Sequence, residues 1–181
     1  KKIMKHDQGM RRDTTLEKLS CLKPLLGKGI ITAGNSSQMS DGAAGVILMN
    51  KDKAKELGLH PLAKITSYST SGVPPSQVME APIIAVKKLL KSVNLDINQI
   101  DLFEHNEAFA TASLAISDQL KIKIDRLNVN GGAISIGHPL GASGARLVIS
   151  LLNSLRDRGL RRGIATLCMG GGNGLAILIT R

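Results

Sequence analysis

His138, Cys168 and Asn106 are the residues whose surroundings could support chemistry. His138 lies in the run NGGAISIGHPLGASG, residues 130–144, between Gly137 and Pro139. Glycine permits positive φ and close approach by a ligand or a second backbone. Proline fixes its own φ and drives the preceding residue out of the α region. This places His138 on a stiff turn, with a helix beginning near Gly141. The positive end of that helix disfavours imidazolium, and a neutral ring there is a candidate proton acceptor. A plainer role, capping the turn, stays open beside it.

Cys168 closes the run ATLC and is followed by Gly170, Gly171 and Gly172. Bare backbone N–H groups in such a run can stabilise a thiolate or an oxyanion. The alternative is an inert strand cysteine. Asn106 follows DLFEH and carries an amide able to hold a water or a carbonyl. Glu107 suits the start of a helix, and His105 reads as a solvated or packed neighbour. All three candidates follow a strand, and ligands of open α/β sheets gather beyond the carboxyl ends of strands. Cys21 and Cys168 lie far apart without CxxC or HxxxH partners, so no metal site is expected.

The elements that must position these side chains are legible in outline. TTLEKLSCL reads as a short helix, with Asp13 or Thr14 as cap and Glu17 completing a capping box. In residues 30–50, Asp41 can cap a helical turn of small residues, and GVILMN reads as a buried strand. Residues 51–57 form a charged helix stopped by Gly58. Residues 62–70 alternate as a strand, and residues 76–91 are helical, with Pro82 opening a second segment. Strands follow at 100–103, 127–130, 163–169 and 174–180, with helices at 107–120 and from Gly141 to the stop at Gly159. GGGN joins the last two strands as an antiparallel return. The order predicts an α/β fold, a mixed sheet with helices covering both faces.

Composition bounds the rest. The 181 residues, 43% hydrophobic, suffice for a core in one ordinary domain or one and a half small ones. Aromatic residues make up 2%, and Trp is absent, which argues against stacking platforms for nucleic acid. The net charge of +10 favours an anionic partner, which a phosphorylated small molecule would satisfy. Arg11 with Arg12 and Arg161 with Arg162 read as solvated pairs. No apolar run reaches the length of a membrane span, and residues 1–13 lack a signal peptide's apolar core. Two cysteines give no disulfide framework, so a reducing, cytoplasmic compartment is the default, with an organellar one left open.

Four motifs in order, GNSSQMSDGAA, HNEAFA, NGGAISIGHPLGASGA and CMGGGNG, resemble the C-terminal half of the thiolase family. The resemblance runs from about Asp7 to Arg181. It implies a five-layered α-β-α-β-α body of two similar halves. Residues 1–40 would be the tail of the inserted loop domain, residues 41–61 the last elements of the N-terminal domain, and residues 62–181 the C-terminal domain. It also implies roles. His138 would activate a nucleophilic cysteine and help bind the thioester oxygen. Cys168 would take the α-proton of acetyl-CoA in synthesis and return it in cleavage. Asn106 would hold the water of one oxyanion hole, and the Gly170 N–H would serve the other. Ser37 would touch the pantetheine arm, and Met79 and Phe109 would line the acyl tunnel. Coenzyme A enters as a substrate, and no cofactor is expected.

The nucleophilic cysteine of that family belongs to the first half, and Cys21, in LSCLKP, does not match it. The chain alone is therefore expected to be inactive, its partners being acyl-CoA, CoA and the missing N-terminal half. The complete protein would form a dimer or tetramer, without nucleic acid or membrane. GHPLGASGARLV with NVNGGA favours the acetoacetyl-CoA type over thiolases of longer-chain specificity. A ketoacyl-synthase relative and a non-catalytic CoA-binding or interaction fragment are the alternatives.

Overall fold

The computed structural model of the chain describes residues 3–181, so the first two residues of the expected loop-domain tail lie outside the description. Its elements in chain order are α1 (Leu16–Ser20), α2 (Lys51–Glu56), β1 (Lys64–Gly72), a 3₁₀ segment (Pro75–Glu80), α3 (Ala81–Ser92), β2 (Leu102–His105), α4 (Ala110–Leu120), α5 (Ala133–Ile136), α6 (Ser143–Asp157), β3 (Arg162–Met169) and β4 (Asn173–Thr180). The strands form one sheet in the order β1-β4-β3-β2. β2 runs parallel to β3, and the other pairs are antiparallel, so the sheet is mixed as predicted. Met169 pairs with Asn173 across the glycine return.

Side chains alternate along each strand, so each sheet face has its own core. On one face Phe103, Ile164 and Leu178 meet Ile83, Val86 and Leu89 of α3 and Ile116 and Leu120 of α4. On the other, Leu102, Ala165 and Ile179 meet Leu147, Leu151 and Leu155 of α6. Those three leucines recur every fourth residue and are fully buried. Leu151 lies so close to β3 that a Cβ at Gly163 would stand 2.5 Å from its Cδ1. Pro82 sits in the first turn of α3, where its missing N–H costs no helical bond. Gly159, at φ 65°, follows α6 and ends it.

Several local expectations are corrected. Thr15, not Asp13 or Thr14, caps α1 by accepting from the Lys18 N–H. Residues 41–50 form neither a capped helical turn nor a strand. Ile47 is 92% and Leu48 70% exposed, because no strand of the sheet offers this segment a ladder. Residues 127–130 do not form a strand beyond a single bridge between Leu127 and Phe103. There Asn128 turns to φ 48°, and its side-chain oxygen accepts the His105 N–H at 2.8 Å in place of a backbone carbonyl. No helix of the described residues is long and apolar enough to cross a membrane.

Candidate functional site

Asn106 leaves the end of β2 with its N–H donating to the Thr166 carbonyl at 3.0 Å, continuing the pairing with β3. Its side chain is buried and reaches His138, with Nδ2 at 3.2 Å from Nε2. His138 enters from the loop between α5 and α6. Gly137 before it has φ 94°, and a Cβ there would collide with the Ser40 hydroxyl. The His138 N–H donates to the Gln38 carbonyl at 3.0 Å, and ring Nδ1 lies 2.6 Å from Ser143 Oγ in the first turn of α6.

Burial holds the His138 ring below the ordinary histidine range, and the Arg146 guanidinium adds to the effect. Both effects favour the neutral ring. Its largest cause is loss of water rather than the helix end.

Cys168 lies two residues beyond Thr166 on β3, and its Sγ is 3.9 Å from Met79 Sδ in the 3₁₀ segment before α3. Burial pushes its thiol up, and a backbone N–H offsets this in part. The expected thiolate-stabilising glycine run is outweighed by lost solvation, leaving a protonated thiol at neutral pH. The return that follows requires glycine. Gly171 and Gly172 have φ 83° and 90°, and a Cβ on Gly172 would collide with the Val73 carbonyl. Gly170 accepts the Asn173 side-chain amide at 3.2 Å.

Ser37 and Phe109 are brought to the same region. The Ser37 N–H donates to the Ala108 carbonyl at 2.9 Å, and Ser36 bridges Phe109. Since Gln38 also holds His138, one extended segment ties Ser37, Phe109 and His138 together. Cys168 and Met79 form a second group, joined to the first through the Asn106–Thr166 pairing. No hydrogen bond links Cys168 to His138 directly among the described residues.

Of two neighbours, His105 takes the packed one of its two expected readings and Glu107 departs from its own. His105 is not solvated. It is fully buried, bonded through Nδ1 to Ser113 Oγ at 2.8 Å, and held down to about 3 by burial. Glu107 lies before α4 and serves another helix, its Oε2 accepting the Ile134 N–H of α5 at 3.2 Å. Three residues of the site escaped the sequence reading: Ser143, Arg146 and Glu104. Arg146 Nη2 donates to Asn106 Oδ1 at 3.2 Å. Glu104 is 1% exposed with no hydrogen-bond partner for either oxygen, and burial raises it to about 7 against the pull of Arg146. A carboxylate inside the apolar run DLFEH was the signal that could have revealed it.

An imidazole, an amide and, one strand over, a thiol thus lie where β2 and β3 end, the place where open α/β sheets gather ligands. Residues 59–181 match the family description "Thiolase, C-terminal domain", and residues 1–52 match "Thiolase, N-terminal domain". The chain belongs to the thiolase family. It is 48% identical over 180 residues to a probable acetyl-CoA acyltransferase of Staphylococcus epidermidis, covering 99% of this chain and 45% of that protein. A Staphylococcus aureus relative with the same description is 45% identical, with 99% and 46% covered. The fold matches the crystal structure of Bacillus anthracis acetyl-CoA acetyltransferase with TM-score 0.93 and 46% identity, covering 96% of this chain and 44% of that one. Human mitochondrial 3-ketoacyl-CoA thiolase in complex with CoA matches with TM-score 0.90 and 41% identity, covering 98% and 45%. The chain thus spans less than half the length of these relatives.

Proposed function

We propose that this chain supplies the proton-handling half of a thiolase, which moves acyl groups between a cysteine and coenzyme A. The observation that carries the reading is the Asn106–His138 contact, one strand over from the half-buried Cys168. In this reading the nucleophilic cysteine is supplied by the N-terminal half, since Cys21 does not match that family's nucleophile motif. In cleavage its thiolate, prepared by His138, attacks the 3-keto carbon of the substrate. The bond between C2 and C3 breaks, and its electron pair becomes the enolate of departing acetyl-CoA. The Cys168 thiol protonates that enolate at carbon. The resulting thiolate then takes the proton of incoming CoA, whose sulfur accepts the acyl group. Nothing is oxidised, and the cysteines return to their starting states. Asn106, through a water, and the Gly170 N–H would stabilise the two oxyanions.

Ser37, Met79 and Phe109 are assigned to the pantetheine and acyl path. Residues 1–40, 41–61 and 62–181 are assigned to the loop, N-terminal and C-terminal domains. We favour acetoacetyl-CoA over longer 3-ketoacyl-CoA substrates, a cytoplasmic location and a homo-oligomeric complete protein. Reconstitution tests the reading. The chain joined to its N-terminal half should cleave acetoacetyl-CoA faster than a long-chain 3-ketoacyl-CoA, and His138→Ala should lose roughly 100-fold or more in rate. CoA binding without turnover would instead favour a non-catalytic fragment.

A further inference from the structure

The site is held by a hydrogen-bond chain with one direction. A guanidinium has only donors, so the atom of Asn106 facing Arg146 Nη2 at 3.2 Å is the carbonyl oxygen. The amide nitrogen is then turned to His138 Nε2, also at 3.2 Å, and it too only donates. Nε2 must therefore carry a lone pair. At the other end, Ser143 Oγ donates to the Pro139 carbonyl at 3.0 Å and can accept from Nδ1 of His138 at 2.6 Å. Every link agrees on one tautomer, with the ring proton on Nδ1.

We propose that Arg146 is a positioning residue, whose guanidinium locks the Asn106 amide so that Nδ2–H faces His138 and the imidazole keeps its lone pair on Nε2. Without Arg146 the amide can rotate and offer its oxygen to a proton on Nε2. The ring would then lose its capacity to accept a proton there. Arg146 is held for this task by its surroundings. It lies on α6, one turn after Ala142, with Nε and Nη1 buried and without hydrogen-bond partners. The fields of Glu104 on β2 and Glu107 before α4 both favour its charge. Glu104 and Arg146 are thus a buried carboxyl and a guanidinium within each other's field without a direct hydrogen bond, an arrangement that helix packing alone does not require. The catalytic consequence rests on the thiolase reading above, but the tautomer does not.

The test is ¹⁵N NMR of the imidazoles in the chain, with His138 assigned by its loss in His138→Gln. The unsubstituted chain should show a protonated Nδ1 and a bare Nε2 at neutral pH. A protonated Nε2 there overturns the proposal without any variant. Arg146→Met should give a mixture of tautomers at His138 while the buried His105 signals stay in place, and Arg146→Lys, which restores a donor, should recover most of the native pattern. A folded Arg146→Met with the native tautomer overturns the proposal, since a purely structural arginine would lower Tm alone. In the reconstituted protein, Arg146→Met should lower kcat about 100-fold with little change in KM. Native NMR behaviour with no cleavage of acetoacetyl-CoA would sink the thiolase reading and leave this inference standing.

Discussion

Ser143 Oγ lies 2.6 Å from Nδ1 of His138 and donates its own hydrogen bond to the Pro139 carbonyl at 3.0 Å. The hydroxyl is 2% exposed, so water does not take its place easily. Ser143→Ala leaves the ring N–H without its partner, while the Pro139 carbonyl keeps the backbone N–H groups of residues 142 and 143. A buried hydrogen bond of this type contributes about 1 kcal/mol. The variant should lose about that much stability in urea, and the reconstituted protein should lose roughly tenfold in kcat, since the ring is no longer held. Unchanged kcat with the stability loss would limit Ser143 to a packing role.

Asn106→Asp replaces the amide beside Nε2 with a carboxylate. An opposite charge at this distance favours imidazolium, against the burial and the Arg146 charge that now disfavour it. The His138 pKa should rise by roughly one pH unit, the lower end of such effects, because Arg146 also pairs with the new carboxylate. An NMR titration of the ring reads this directly. A reconstituted enzyme carrying the change should need higher pH for activity. A pKa that stays put would mean the two side chains do not meet in solution.

The sheet and its helices were legible because their signals are local and repeated. Leu147, Leu151 and Leu155 mark one helix face, and the glycine run marks the hairpin between β3 and β4. The failures share a cause. GVILMN has a strand's composition, but a strand exists only with a ladder partner, and this chain offers none. Residues 127–130 also lacked a ladder, because the Asn128 side chain took the hydrogen bond that a backbone carbonyl would accept. His138, Asn106 and Cys168 were visible by type and by their glycine neighbours. Arg146 and Glu104 were not, since a charged residue on a helix or strand reveals its burial only after packing is known.

Gly172 has φ 90°, its carbonyl accepts the Val73 N–H at 2.8 Å, and a Cβ would strike the Val73 carbonyl. Strain from the dihedral alone costs about 1–3 kcal/mol. Gly172→Ala should exceed that, because backbone rather than a flexible side chain must yield. Gly141→Ala is the control, with no atom within 4 Å of the new Cβ. Chemical denaturation of both variants separates a strained hairpin from a general intolerance of alanine.

Met39, Ile47 and Leu48 are 100%, 92% and 70% exposed, and they lie within one stretch that has no sheet to join. Clustered apolar surface of this kind promotes association. The chain by itself should show a light-scattering mass that grows with concentration, and Ile47→Asp with Leu48→Asp should reduce it without altering the circular dichroism. A chain that stays monomeric at high concentration would show that this surface is not adhesive.

Glu104 and His105 are adjacent on β2, face opposite cores, and respond to pH in opposite senses. Burial raises Glu104 from 4.5 to about 7, so the folded chain binds a proton that the unfolded chain releases. Its contribution to stability is complete below pH 4.5 and is lost as pH rises toward about 7. Burial lowers His105 from 6.5 to about 3, so the unfolded chain takes up a proton that the folded chain refuses. That penalty is absent above pH 6.5 and grows as pH falls toward about 3. Each group alone gives a slope of at most about 1.4 kcal/mol per pH unit, and between them the slopes oppose. The chain should therefore show a shallow pH dependence of its urea midpoint between pH 4.5 and 6.5, with a fall above that range. Glu104→Gln removes the descending contribution and should expose a midpoint that climbs steadily from pH 4.5 to 6.5. If Glu104→Gln leaves the profile flat, neither of the opposed contributions exists, and the two side chains are not buried as their exposures of 1% and 0% state.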